Sequence, residues 1–260
     1  MTQAFPTIFV SHGSPMLAVE PGATGEFWHK LGHELPRPQS VLAVSAHWTT
    51  REPTVNAAPT NDTIHDFYGF PEALYRIRYD APGAPALADR VVSLLEAASI
   101  PVRVDAARGL DHGAWVPLQN MYPEADLPVA QLSVQPHRDA RWHVQLGAAL
   151  RPLKDEGVLV LATGGAVHNL REMARDGGPT PSWAKTFDEW LAATLAKGDE
   201  SAFLDWETAA PEAQRAQPTP EHFLPIFVAY GAAGAHPKTT RINHGFTLGS
   251  MSMAAFEFAA

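Results

Sequence analysis

The sequence predicts an α/β layered fold, a central and largely parallel sheet flanked by helices. Two observations carry that prediction. Short apolar runs alternate along the chain with longer segments whose apolar residues recur three and four apart. Such an alternation of strand and helix patterns folds as a parallel sheet with helical crossovers. The chain has 260 residues, 45% of them hydrophobic, enough for one unit to bury roughly three quarters of its unfolded surface. With no internal repeat and no low-complexity linker, residues 1–260 read as a single domain.

In chain order, residues 7–10, 41–45, 129–134 and 158–162 are continuous apolar runs short enough to be buried strands. Residues 85–98, 139–154 and 183–197 carry the spacing of amphipathic helices. The tail over 239–258, with Gly249-Ser250 between two apolar stretches, reads as a closing antiparallel hairpin.

Composition excludes several chemistries. There is no cysteine, which removes disulfides, thiolate zinc sites, cysteine-ligated clusters and a cysteine nucleophile. Histidine and carboxylate are left as metal ligands. A net charge of -9, from 28 acidic and 19 basic residues without a Lys/Arg cluster, argues against a nucleic-acid or anionic-membrane partner. No apolar run approaches the roughly 20 residues of a membrane span, and the first ten residues lack a basic start with an apolar core, so a cytoplasmic protein is expected. No P-loop, dinucleotide fingerprint, HExxH or nucleophile elbow is present, so a nucleotide cofactor has no support.

The 12 histidines acquire a geometric meaning from the strand reading. His12 follows the first run, His47 the second, and His168 the fourth after a Gly164-Gly165 turn. In open α/β sheets the ligand crevice lies beyond the carboxyl ends of the strands, where segments distant in sequence can meet. His12, in Ser11-His12-Gly13-Ser14-Pro15, sits in a turn that aims an imidazole inward, or it merely caps that turn. His47, beside Trp48, is a ligand or a packed core group. His222, after Pro220 and Glu221, lies at a helix start that faces inward or outward. A catalytic metal site needs about three protein ligands and an open position; the assignment is His12, His47 and His222.

His168, in the glycine-rich stretch 164–169, and His112, in Leu110-Asp111-His112-Gly113-Ala114-Trp115, read as catalytic rather than coordinating, or as structural loop residues. An unperturbed imidazole titrates near neutral pH, which suits a general acid or base. Asp111 is not expected to orient His112, since neighbours in an extended segment point apart. The stretch 63–71, with His65 and Tyr68, reads as a substrate-facing lid. His143 reads as a core histidine. His29, His33, His137, His236 and His244 read as surface or structural.

Six motifs then fall in order: SHGSP at 11–15, SAHW at 45–48, HDFYGFP at 65–71, LDHGAWVPL at 110–118, GGAVHNL at 164–170 and EHFLP at 221–225. Together they resemble the DOPA 4,5-dioxygenase-like branch of the LigB-type class III extradiol dioxygenase superfamily, over nearly the whole chain. The resemblance implies a single catalytic domain with no organic cofactor and one divalent metal, Fe(II) for activity and Zn(II) as a candidate for the ion bound on purification. It implies His12 and His47 as ligands, His168 as acid/base and His112 against substrate or oxygen. The wider superfamily has a glutamate as third ligand; here the matching position is His222, with Glu221 beside it.

The activity so implied is opening of a catechol ring, DOPA-like, with O2 to give a muconic semialdehyde. The partners are a small-molecule catechol and O2, and a homo-oligomer stays open. Two other readings use the same residues: a zinc hydrolase that generates a metal-bound hydroxide, and a binding protein without catalysis on the same fold.

Overall fold

The computed structural model describes residues 4–174 and 178–259. Its strands are β1 (Thr7–Ser11), β2 (Ser40–Thr49), β3 (Thr54–Asn56), β4 (Arg103–Asp105), β5 (Val129–Val134), β6 (Val158–Gly164), β7 (Lys238–Asn243), β8 (Phe246–Thr247), β9 (Met251–Ser252) and β10 (Ala255–Ala259). Eight form one sheet in the order β4-β3-β5-β2-β6-β1-β10-β7, and β8 pairs with β9. The four central strands β5, β2, β6 and β1 run parallel. Antiparallel pairings flank them, β3 on β5 at one side and β10 with β7 on β1 at the other. The expected closing hairpin is the β7–β10 pair, with the β8–β9 hairpin inserted at its tip.

The helices are α1 (Gly22–Glu34), α2 (Glu72–Tyr75), α3 (Pro85–Ala97), α4 (His112–Met121), α5 (Ala140–Ala149), α6 (Ser182–Lys197), α7 (Glu200–Leu204), α8 (Trp206–Ala209), α9 (Ala213–Ala216) and α10 (Leu224–Ala233). Period-two alternation in the central strands sorts side chains to two faces. Phe9, Leu42, Val44, Val160 and Ala162 join one core with α3, α5, α6 and α10, whereas Ile8, Val10, Val41, Ala43, Leu159 and Leu161 join another with α1 and α4. Both faces are therefore covered, which is why these strands read as unbroken apolar runs.

The expected helix over 139–154 is a correction. It stops as α5, and residues Arg151–Glu156 form a 3-10 turn. Pro152 has no amide hydrogen to continue the i to i-4 ladder, and Gly157 closes the turn with a left-handed φ of 77°.

His143 on α5 behaves as a core histidine and makes acid stability predictable. Its Nδ1 faces the carbonyl of Asp139 at 2.8 Å, and its Nε2 faces the amide of Gln135 at 3.2 Å. The amide can only donate and the carbonyl only accept, so the ring is neutral with its hydrogen on Nδ1. Burial, the largest cause, lowers its pKa from 6.5 to about 4. Between those values the unfolded chain binds a proton that the folded chain refuses, so stability falls as pH falls; one such group costs about 3 kcal/mol across the window. Urea unfolding from pH 7 to 4 is expected to show a slope shallower by about 1 kcal/mol per pH unit in His143→Gln than in the parent chain. Equal slopes would contradict this.

Candidate metal centre and active-site crevice

The central strands deliver their carboxyl ends to one edge, and β6 lies between β1 and β2. His12 follows β1 directly, its amide held by the Gly164 carbonyl at 3.0 Å. Its neighbour Gly13 has φ 63°, and a Cβ there would stand 2.8 Å from Leu17 Cδ1. His47 departs from expectation: it lies within β2, which runs on to Thr49. The β2–β5 register shifts between Val44 and Thr49, and an irregularity of this kind re-aims a strand's side chains.

His222 is brought in by the end of β6. The Gly165 amide donates to the His222 carbonyl at 2.8 Å, and a Cβ on Gly164 would stand 2.1 Å from that carbonyl. Only a strand end without side chains admits the backbone so closely. His222 itself sits in the turn before α10 rather than in the helix, which begins at Leu224 with Pro225 in its first turn. Gly164→Ala is therefore expected to push the 220–223 turn outward, destabilising the fold by about 1–3 kcal/mol and weakening metal binding. Denaturant unfolding and a metal titration check both halves.

The result is a focus of three imidazoles. His12 Nε2 lies 3.0 Å from His47 Nε2, which lies 3.2 Å from His222 Nε2. One ligand atom from each residue falls within 4.8 Å of the other two, a group able to hold a metal ion. His12 and His222 are buried, and His47 is partly so.

Electrostatics fit a cation at this focus. Burial first, then the neighbouring imidazoles, hold His12 and His47 well below the ordinary histidine pKa, and burial lowers His222 despite the opposing pull of Glu221. All three are neutral near pH 7, as ligands must be. Glu221 meets His222 Nδ1 at 3.2 Å, and Asp66 meets His47 Nδ1 at 3.3 Å. Burial raises the Glu221 carboxyl, but hydrogen bonds from His222 and Thr219 overcome it and leave its pKa at about 2. Asp66 is likewise lowered, burial being outweighed by its bonds from His112. Ionised carboxylates accept only, so His222 carries its hydrogen on Nδ1 in its bond to Glu221, and the Asp66 charge beside His47 Nδ1 favours the same tautomer there. Their Nε2 lone pairs then face each other at 3.2 Å with no proton between, an arrangement that a shared cation satisfies. A carboxylate behind each ligand imidazole is the usual outer support of such sites.

His168 and His112 flank the focus. The His168 ring stacks on His222 at 3.4 Å between centroids and 8° between planes. Burial and the adjacent His222 lower its pKa to about 3, so the expectation of an unperturbed imidazole is corrected: the ring rests neutral near pH 7 and can receive a proton but holds none to give until it has received one. His112 is the first residue of α4, with its ring centroid 4.0 Å from that of His47. Asp111 is the N-cap of α4: its carboxylate accepts from the Ala114 amide, Ser45 Oγ, Arg108 and Gln131. The partner of the His112 side chain is Asp66, at 2.9 Å.

Above the imidazoles opens a crevice of about 480 Å3. Gly13 to Met16 form one wall, Phe67 and Phe70 a second, Leu170 and Met173 a third, and Leu248 and Met251 the last. The shape admits one ring against an apolar surround, with its polar edge turned to the histidines.

A family profile described as the catalytic LigB subunit of aromatic ring-opening dioxygenase matches residues 6–258. The chain belongs to the LigB family. Among relatives, it is 45% identical to the 4,5-DOPA dioxygenase extradiol of Beta vulgaris, over 98% of this chain and 96% of that one. It is 44% identical to the protein of the same name from Escherichia coli K12, over 97% and 94%. The crystal structure of an uncharacterized Escherichia coli K12 protein, JW3007, superposes with a TM-score of 0.79 at 36% identity, covering 97% of this chain and 99% of that one. This LigB chain is an extradiol ring-cleaving dioxygenase, and LigB extradiol dioxygenases use a metal ion. The hydrolase and binding-only readings are not favoured.

Within the LigB site, the sequence reading brought together His12, His47, His222, His168 and His112 and missed Asp66. His65 and Tyr68, expected against substrate, do not line the crevice. His65 turns beneath its loop, with Nε2 3.1 Å from the Ile77 carbonyl and its ring against Phe67, Tyr75 and Trp115; Tyr68 is 89% exposed. Asp66, Phe67 and Phe70 of the same stretch line the crevice instead. The five histidines read as surface groups are all exposed. Among the described residues, no helix is long and apolar enough to cross a membrane.

Proposed function

We propose that this LigB enzyme opens a catechol of the DOPA type beside its diol, using O2 and an Fe(II) ion held by His12, His47 and His222, to give a muconic semialdehyde. The observation that carries the reading is the meeting of three Nε2 atoms at the base of a largely apolar crevice with room for an aromatic ring. The substrate class is supported by the Beta vulgaris and Escherichia coli relatives named 4,5-DOPA dioxygenase extradiol. A three-imidazole set also accommodates Zn(II), so zinc is the ion expected to compete on purification. The ion, when bound, would gather catechol and O2 at one centre and pass electrons between them, making an encounter intramolecular.

The chain's own residues supply the rest. Phe67 and Phe70 hold the catechol ring, and Leu170 and Met173 keep water from it. His168, lining the crevice beside His222, accepts the proton that a catechol hydroxyl releases and returns it as the ring opens. His112 stands on the opposite flank, against the substrate or oxygen.

The test is anaerobic loading with Fe(II), then L-DOPA and a panel of other catechols in air, with oxygen uptake and the yellow semialdehyde as readouts. Neither signal from any catechol would remove the reading. Activity equal with Zn(II) and independent of oxygen would also do so.

A further inference from the structure

The geometry points to Asp66 as a positioning residue: one carboxylate fixes the same Nδ1–H tautomer on both His47 and His112, and so yokes a metal-binding imidazole to a crevice imidazole. Asp66 Oδ2 lies 3.3 Å from His47 Nδ1, and Oδ1 lies 2.9 Å from His112 Nδ1. The same Oδ1 receives the backbone amide of His112 at 2.9 Å. That amide is a fixed donor at the start of α4, so Oδ1 is bound there as an acceptor. A single carboxylate with one acceptor oxygen per ring leaves each imidazole one way to be protonated, on the nitrogen that faces Asp66.

Two consequences follow for the reaction. His47 has its Nε2 lone pair committed to the focus with His12 and His222, as a ligand requires. His112 keeps its own Nε2 lone pair as its remaining polar group, which makes it an acceptor of hydrogen bonds in the crevice rather than a donor. Its ring stands 4.0 Å from that of His47 and 5.4 Å from that of His12, so the acceptor is held beside the metal focus. Asp66 comes from the loop before α2 and His112 from α4, 46 residues later. The carboxylate thus joins the Ile64 amide to Leu110 carbonyl bond and the Trp115 Nε1 to Ile64 carbonyl bond in registering the loop carrying Phe67 and Phe70 against the histidines. This inference rests on the metal-site half of the function proposed above and is independent of ring cleavage.

The experiment uses the full chain loaded with Zn(II), which is diamagnetic, and labelled with 15N-histidine. Long-range 1H–15N spectra are expected to show His112 as the Nδ1–H tautomer in the parent chain; His112 protonated on Nε2 overturns the proposal with no variant needed. Asp66→Asn keeps the shape but offers only one acceptor oxygen. Its one oxygen stays with the His112 amide and Nδ1 and its NH2 turns to His47, so it is expected to leave His112 as Nδ1–H, to drive His47 out of the Nδ1–H tautomer, and to weaken Zn(II) binding, measured by chelator competition, about 10- to 100-fold. Asp66→Glu keeps both acceptor oxygens and is expected to recover part of that affinity. Unchanged zinc affinity in Asp66→Asn overturns the proposal. Weakened affinity with His47 still Nδ1–H overturns it too, since that result would mark Asp66 as a ligand or a general support. An enzyme that cleaved no catechol would leave these readouts intact, so the two failures are distinguishable.

Discussion

His12→Ala is expected to lower metal affinity on the order of 100- to 1000-fold while leaving the metal-free fold nearly intact. Structural zinc sites of four ligands bind with about 10–16 kcal/mol, or roughly 2.5–4 kcal/mol for each ligand removed. The substitution opens a cavity beside β1, which is unfavourable, but it also removes a buried Nδ1 that has no hydrogen-bond partner, which offsets part of the cost. The two effects separate in a thermal or denaturant melt. The midpoint without metal should move little, whereas the stabilisation from added metal should shrink by about 3–4 kcal/mol, following the logarithm of the affinity lost. A variant that kept the full metal-dependent shift would show that His12 is not a ligand, and the three-imidazole centre would fall with it.

The second large effect is expected at His168. Its ring lies flat on His222 rather than edge-on to the focus, and it is absent from the group of side chains able to share an ion. His168→Ala should therefore retain metal and lose turnover by about 100- to 10,000-fold, the usual contribution of a positioned acid or base. Because the stacked ring also supports His222, His168→Phe is the sharper variant: it keeps an aromatic face against the ligand and removes both nitrogens. Steady-state oxygen uptake at saturating catechol, with metal content measured in parallel, checks this. Loss of metal from His168→Phe would make His168 a ligand; undiminished turnover would remove it from the proton path.

How far the sequence reaches can be seen element by element. β1, β2, β5 and β6 were legible because strands buried on both faces are continuous apolar runs. β3 and β4 were not, since three residues each are too few to show any period. The start of α10 was expected, at Pro220 rather than Leu224, but its extent was hidden for a related reason. All ten of its residues are buried, and a helix apolar all round has no polar stripe to give it away. α4 was hidden by Pro117 within it and by reading Asp111 as part of an extended segment, although an aspartate just before a helical run is an N-cap signal.

The histidines were legible as a set because strand ends converge in this fold class, not because any one of them is distinctive. Whether Glu221 or His222 turns inward could not be read from adjacent letters; the Gly164–Gly165 backbone fixes it by seizing the His222 carbonyl. Asp66 was invisible because its partners are 19 and 46 residues away. In the HDFYGFP stretch, attention went to the histidine and tyrosine rather than to the residues between them.

The placement of β10 bears on the order in which the molecule can be completed during synthesis. β1, made first and carrying His12 at its tip, has β6 on one side and β10 on the other. A ribosome must therefore deliver residues beyond 250 before that early strand loses its open edge. Until then a nascent chain exposes a ready template for mispairing, even with every imidazole of the centre already translated.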